Sequence, residues 1–223
     1  LNAILKLGQM HILGYYIDYT NKEFVDMMKV FENDRNERNS LFINAFKKIG
    51  IDISLDEVKK YAIGSVVGKP HFARVLIEKG YINDIQEGFD KYFDVEPLKN
   101  IKRRVFEPEK IIRLIKSAGG IAVLAHPQSL KLDEDTLREK IIELKSYGLD
   151  GLECYHSKQT YEEMKLFKKI AEDNNLLITL GSDYHRDVAT SNIEMGHGKN
   201  DNLINSNPDT DNIILNLENA HKI

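Results

Sequence analysis

Histidines and carboxylates recur at the ends of short apolar runs in this chain. His11 opens His11-Ile-Leu-Gly-Tyr-Tyr16, and His126 closes Ile121-Ala-Val-Leu-Ala-His126 just before Pro127. Glu153 and His156 lie on Gly151-Leu-Glu-Cys-Tyr-His156, and Asp183 and His185 end the run that starts at Leu176. An imidazole beside a carboxylate suits a divalent transition ion. In extended chain, residues two apart share a side, so Asp183 and His185 project together while Ser182 and Tyr184 point away. Each residue also has a plainer reading. A lone histidine on a strand is usually a hydrogen-bonded core residue, which applies to His11. His126 can simply terminate a strand, and Asp183 can bond its own turn. Glu153 can cap a helix or orient a ligand. His156, followed by Ser-Lys-Gln-Thr, reads as loop rather than ligand. Cys154 alternates away from Glu153 and reads as core. His197 and His221 fall in a polar tail and read as solvated. What favours a metal site is convergence, since the His and Asp candidates fall at successive strand ends, where parallel α/β folds place their chemistry.

The elements that must position these residues are of two textures. The apolar runs, too short for helices, read as buried strands. Between the last three lie helical stretches. One spans about 133–147, with Leu137, Ile141, Ile142 and Leu144 at helical spacing. The other spans about 160–174, with Met164, Phe167 and Ile170, opened by a capping box at Thr160-x-x-Glu163. Strand–helix alternation predicts a parallel sheet or barrel. Residues 21–104 are instead almost wholly helical. Phe24, Met27, Met28 and Phe31 share one face, and Leu41, Phe42, Ala45 and Ile49 another. Ser54-x-x-Glu57 opens a further helix and Pro70 the next, with Phe72, Val75 and Leu76 on its apolar side. The organisation predicted is a helical insertion at 21–104 between strands of an α/β part formed by 1–20 and 105–223. Beyond about Gly196 there is little pattern before Ile213-Ile-Leu215.

Composition limits the function classes. Hydrophobic residues at 42% and charged residues at 30% allow a packed core. A net charge of -4 argues against a general nucleic-acid binder, and no stable binding of duplex nucleic acid is expected. A single cysteine excludes an intrachain disulfide and fits a reducing cytoplasm. No apolar run approaches the ~18–20 residues of a membrane helix. The chain begins at Leu1 rather than at methionine, within a hydrophobic stretch, which reads as a start inside a domain.

Three motifs, in this order, carry a family resemblance: Gly119-Gly-Ile-Ala-Val-Leu-Ala-His-Pro127, Gly148-Leu-Asp-Gly-Leu-Glu153 and Leu176-Leu-Ile-Thr-Leu-Gly-Ser-Asp-Tyr-His185. Together they resemble the C-terminal part of the polymerase and histidinol phosphatase (PHP) domain. Met10-His-Ile-Leu-Gly-Tyr15 and Gly68-Lys-Pro-His-Phe-Ala73 resemble the branch of 3′,5′-nucleoside bisphosphate phosphatases and 5′–3′ exoribonucleases. The resemblance implies an incomplete, distorted (β/α)7-type PHP barrel with a helical insertion subdomain. It implies divalent ions (manganese, zinc, iron or magnesium), up to three in the intact family site. Carried over, His11, His126, Asp183 and His185 look like metal ligands, and Lys69 and His71 look like contacts to a substrate phosphate. Lys69 stands where the family usually has arginine, trading a bidentate fork for a point charge. The family's opening His-x-His strand, a following Asp, a further His and a bridging Glu have no counterpart here. The implied function is metal-dependent hydrolysis of phosphate esters in small nucleotides or short oligonucleotides. The competing readings are a catalytically inactive remnant serving binding or structure, and a metal-dependent hydrolase acting on another bond such as an amide.

Overall fold

A computed structural model describes residues 2–5, 8–62, 66–184 and 193–222. In chain order the elements are β1 (Asn2–Leu5), β2 (Gly8–Tyr15), α1 (Lys22–Lys48), α2 (Leu55–Lys59), α3 (Lys69–Glu78), α4 (Ile85–Gly88) and α5 (Pro108–Ser117). Then come β3 (Ile121–Leu124), α6 (Glu134–Ser146), β4 (Gly151–His156), α7 (Tyr161–Asp173), β5 (Leu177–Gly181), β6 (Ile193–Glu194), β7 (Gly198–Lys199), α8 (Asn202–Asn205) and α9 (Thr210–His221). The chain divides into two compact units, one of Leu1–Val25 with Val105–Ile223, the other of Asp26–Arg104.

The first unit is built on a five-stranded sheet in the order β1-β2-β3-β4-β5. β1–β2 and β2–β3 are antiparallel, and β3–β4 and β4–β5 are parallel. The sheet is therefore mixed, and among the described residues it is open rather than closed into a barrel. Its middle strands β3 and β4 are buried along their whole length, as the continuous apolar runs require. Helical spacing finds the packing faces: α6 buries Leu137, Ile141 and Leu144, and α7 buries Met164, Phe167 and Ile170. Ile142, counted with the α6 face in the sequence, lies on the opposite side and is exposed. The α7 capping box forms as read. Thr160 N–H donates to Glu163 Oε2 at 2.7 Å, and Glu163 N–H donates back to Thr160 Oγ1 at 3.2 Å. Asp150 ties two strand starts together, its Oδ2 accepting from Ala122 N–H and from Lys116 Nζ, both at 2.8 Å.

In the second unit α1 is one 27-residue helix rather than two. Its buried residues are Arg38, Asn39, Phe42, Ala45 and Phe46, while Leu41 and Ile49 are exposed. Phe42, Phe46, Phe72 and Phe93 are fully buried and pack ring against ring, with centroids 5.6–6.1 Å apart. In the tail, α9 buries Ile213 and Leu217 and exposes Ile214 and Leu215, so the apolar triplet marks a helix with one packed edge. No described helix is long and apolar enough to cross a membrane.

Candidate functional site

The antiparallel run of β2 beside β3 sets Ile12 opposite Leu124. His11, early in its own strand, therefore lies at the C-terminal end of β3, and its carbonyl accepts from Ala125 N–H at 3.0 Å. β3 ends at Leu124, so His126 is not the last strand residue but lies just beyond it, at φ 29° and ψ 68°. Positive φ is uncommon for a residue with a Cβ. The turn brings His126 Nε2 to 3.0 Å from His11 Nδ1, with the rings edge to face and their centroids 4.7 Å apart. His126 Nδ1 lies 2.9 Å from Ser129 Oγ, which orients the ring. Burial lowers the His126 pKa, with Asp183 opposing and Lys158 adding. A neutral imidazole keeps a lone pair for a metal.

Glu153, only 4% exposed, supports that turn. Its Oε2 accepts from His126 N–H at 2.7 Å. Its other oxygen fills the space above Gly181, where a Cβ would come within 2.2 Å of Oε1. The carboxyl thus joins the end of β3 to β5, and β5 needs a glycine to admit it. Burial raises the Glu153 pKa to about 7, the His126 N–H working against that shift and Asp183 with it.

His156 is the last residue of β4 and 1% exposed, which corrects the expectation of a loop. Its ring lies 5.4 Å from that of His126. Nδ1 accepts from Lys158 N–H at 3.1 Å and from Gln128 Nε2 at 3.3 Å. The proton of the neutral ring therefore sits on Nε2, which is buried with no hydrogen-bond partner among the described residues. Burial, then the proximity of His126, pushes its pKa down to about 4. The signal for this residue was its parity with Leu152 and Cys154 on a strand buried on both faces; the polar residues that follow obscured it.

β5 ends at Gly181, and Asp183 has φ 52°, so the alternation expected to align Asp183 with His185 does not extend that far. The exposed Asp183 accepts from Lys158 Nζ at 3.1 Å, and its charge acts on His126, His156 and Glu153. His185 lies outside the described residues. Among the described residues no group of three or more His, Cys, Asp or Glu is arranged to hold a metal. The 3.0 Å between the two imidazole nitrogens matches the spacing of neighbouring ligands on an octahedral ion at ~2.1 Å, roughly 3 Å.

In the helical unit, Gly68 precedes α3 and His71 caps it. His71 Nδ1 accepts from Gly68 N–H at 3.0 Å. Lys69 Nζ lies 5.6 and 5.5 Å from the ring centroids of Phe89 and Phe93 and 3.7 Å from Asp94. Burial lowers its pKa, and Asp94 opposes that shift.

The sheet brings a histidine pair and a buried carboxyl together at its strand ends, where α/β folds place their sites. No family model matches the chain. It is 28% identical over 197 residues to a 5′–3′ exoribonuclease of Haemophilus influenzae, covering 88% of this chain and 70% of that protein. It is 25% identical over 177 residues to a 3′,5′-nucleoside bisphosphate phosphatase of Chromobacterium violaceum, covering 79% of this chain and 62% of that one. The structure of a proposed metal-dependent phosphoesterase from Bifidobacterium adolescentis superposes with a TM-score of 0.78 at 22% identity, over 98% of this chain and 74% of that one. This likeness shows the fold. The chain is related to the phosphoesterases of the PHP family, the exoribonuclease and bisphosphate phosphatase among them. It spans about two thirds of the length of these two relatives.

Proposed function

We propose that the chain is part of a metal-dependent phosphoesterase acting on nucleotides or short oligonucleotides. The observation that carries this reading is the His11–His126 pair, 3.0 Å nitrogen to nitrogen at the end of the sheet. His11 Nδ1 and His126 Nε2 would hold one divalent ion, with Asp183 and His185 contributing to the same cluster. A bound ion would supply a hydroxide near neutral pH and neutralise charge on the phosphoryl oxygens. Ser129 keeps the His126 ring in place, and Glu153 keeps its backbone in the turn. Lys69 and His71 would anchor a phosphate of the substrate, a role supported by the resemblance of Gly68-Lys-Pro-His71 to the motif of the exoribonuclease branch, with Lys69 in place of its arginine. A lysine ammonium held against two aromatic rings is a fixed point charge suited to an anion.

One observation favours a second reading, a module that binds but does not turn over. Among the described residues only a pair of imidazoles, with no carboxylate between them, is in place for a metal. Two or three divalent ions held close together need more negative charge than that. The test is phosphate release from a 3′,5′-bisphosphate nucleotide with manganese, comparing this chain, a version extended at its N-terminus with a His-x-His strand, and each of these carrying His126→Ala. The phosphoesterase reading expects turnover by the extended protein, falling at least about 100-fold in its His126→Ala form. No turnover by the extended protein favours the binding module. Equal turnover by the two lengths refutes the argument from charge.

A further inference from the structure

Asn202, the first residue of α8, lies in the tail where the sequence shows little pattern. Its side chain nevertheless holds the turn that follows β4. Nδ2 donates to the carbonyl oxygens of His156, Ser157 and Gln159 at 3.3, 3.1 and 3.3 Å. The amide has two N–H donors, so the three carbonyls share them. Oδ1 accepts from Lys199 N–H at 3.0 Å, which fixes the orientation of the amide. Gly198 makes room for it, since a Cβ there would come within 2.3 Å of Oδ1. The turn itself is built inward: His156, Ser157 and Gln159 are 1%, 2% and 5% exposed. Gln159 Nε2 donates to Gln128 Oε1 at 2.9 Å, which ties the turn to the segment after β3. A buried network with its partners in place rigidifies what it joins.

Two ties run from this turn to the residues after β5. Ser157 Oγ donates to the Ser182 carbonyl at 2.6 Å, and Lys158 Nζ donates to Asp183 Oδ2 at 3.1 Å. Asp183 is thus held by the peptide that enters it and by its carboxylate. The Lys158 pair is exposed and contributes little by itself, so the hydroxyl of the buried Ser157 is the stronger tie. Asp183 has φ 52°, in the left-handed region that a residue with a Cβ seldom adopts. Such a conformation persists where its surroundings over-determine it. We propose that Asn202 is a positioning residue, which through the 156–159 turn and Ser157 sets the backbone of Asp183 and so keeps its carboxylate beside His126 for a divalent ion. The role of the ion rests on the phosphoesterase reading; the positioning does not.

The experiment uses the intact chain and takes two measurements. The Asp183 Cα chemical shift, read without metal, reports its backbone conformation, and calorimetry with manganese alone reports the ion. In wild type the shift is expected to be that of a left-handed residue. Asn202→Ala and Ser157→Ala are each expected to move it toward the extended average and to weaken manganese binding at least about tenfold. Because the two act in one chain of contacts, the double variant is expected to bind no more weakly than the worse single one. Asp133→Ala, which removes the cap of α6, controls for lost stability alone: it is expected to melt lower and to bind manganese within about twofold of wild type. Where Asn202→Ala fails to fold, Ser157→Ala decides by itself. An unchanged Asp183 shift in Ser157→Ala overturns the proposal, as does an equal loss of affinity in Asp133→Ala, since stability and not position would then set it. Affinity lost in His126→Ala and kept in Asn202→Ala and Ser157→Ala sinks the positioning role and leaves the phosphoesterase reading standing. Affinity lost in Asn202→Ala and kept in His126→Ala moves the ion away from the imidazole pair, which sinks that reading and leaves the positioning role standing. A wild type that takes up no manganese leaves Asn202 nothing to serve and overturns the proposal, while turnover by the extended protein judges the phosphoesterase reading separately.

Discussion

His126 is positioned mainly through its backbone. Its N–H is held by Glu153 and its ring by Ser129, and a left-handed turn points Nε2 at His11. The cost of this arrangement falls on Glu153, a carboxyl taken out of water. Its pKa rises from 4.5 to about 7 in the folded chain. The sign follows from linkage. A carboxyl with a raised folded pKa contributes stability that is fully present below about pH 4.5 and is lost as pH rises through about 7. Glu153→Gln keeps a side-chain oxygen for the His126 N–H and removes the titration. The expected outcome is a variant more stable than wild type at pH 8 by on the order of 1–3 kcal/mol, the advantage shrinking toward pH 5. Urea denaturation of both proteins across that range checks it. A difference that does not vary with pH would show that Glu153 is not the group responsible.

At the scale of elements, the site depends on how β3, β4 and β5 end. Glu153 on β4 reaches one neighbour through a hydrogen bond and the other through the empty side of Gly181. Gly181→Ala places a methyl group against Glu153 Oε1, so it is expected to destabilise the fold by about 1–3 kcal/mol, the usual range for overpacking. Much of that loss should disappear when Glu153 is also shortened to alanine, because the two atoms in conflict no longer meet. A double-mutant cycle measures the coupling, and additive effects would place the strain of Gly181→Ala elsewhere. Most of these elements were legible in the sequence. The capping box at Thr160 and Glu163 and the spacing of Met164, Phe167 and Ile170 are local signals, and α7 answers to them. The surroundings of His156 were not legible, because they come from distant segments: Gln128 beside it, Asp183 in range and the His126 ring against it.

For the whole molecule, the division into two units has a mechanical consequence. Phe72 is fully buried in the aromatic cluster of the helical unit, with rings of Phe42 and Phe46 at 5.6 and 6.1 Å. Phe72→Ala is expected to cost about 3–5 kcal/mol there. If each unit is held by its own core, hydrogen exchange will show the loss of protection in Asp26–Arg104 while amides of β3, β4 and β5 keep theirs. Equal loss in both would show a single cooperative unit.

The sequence by itself determined what depends on near neighbours: which runs are strands, which face of α7 is packed and, Ile142 apart, which face of α6, where those helices begin, and which motifs link the chain to the PHP phosphoesterases. Periodicity and capping act over a few residues, so a linear reading captures them. Tertiary structure decided the rest. β2 runs antiparallel to β3, and that direction brings His11 to His126 across more than a hundred positions. The open edge of the sheet among the described residues and the burial that raises Glu153 likewise follow from which segments pack together. Desolvation and long-range pairing depend on neighbours in space, and adjacency along the chain does not specify them.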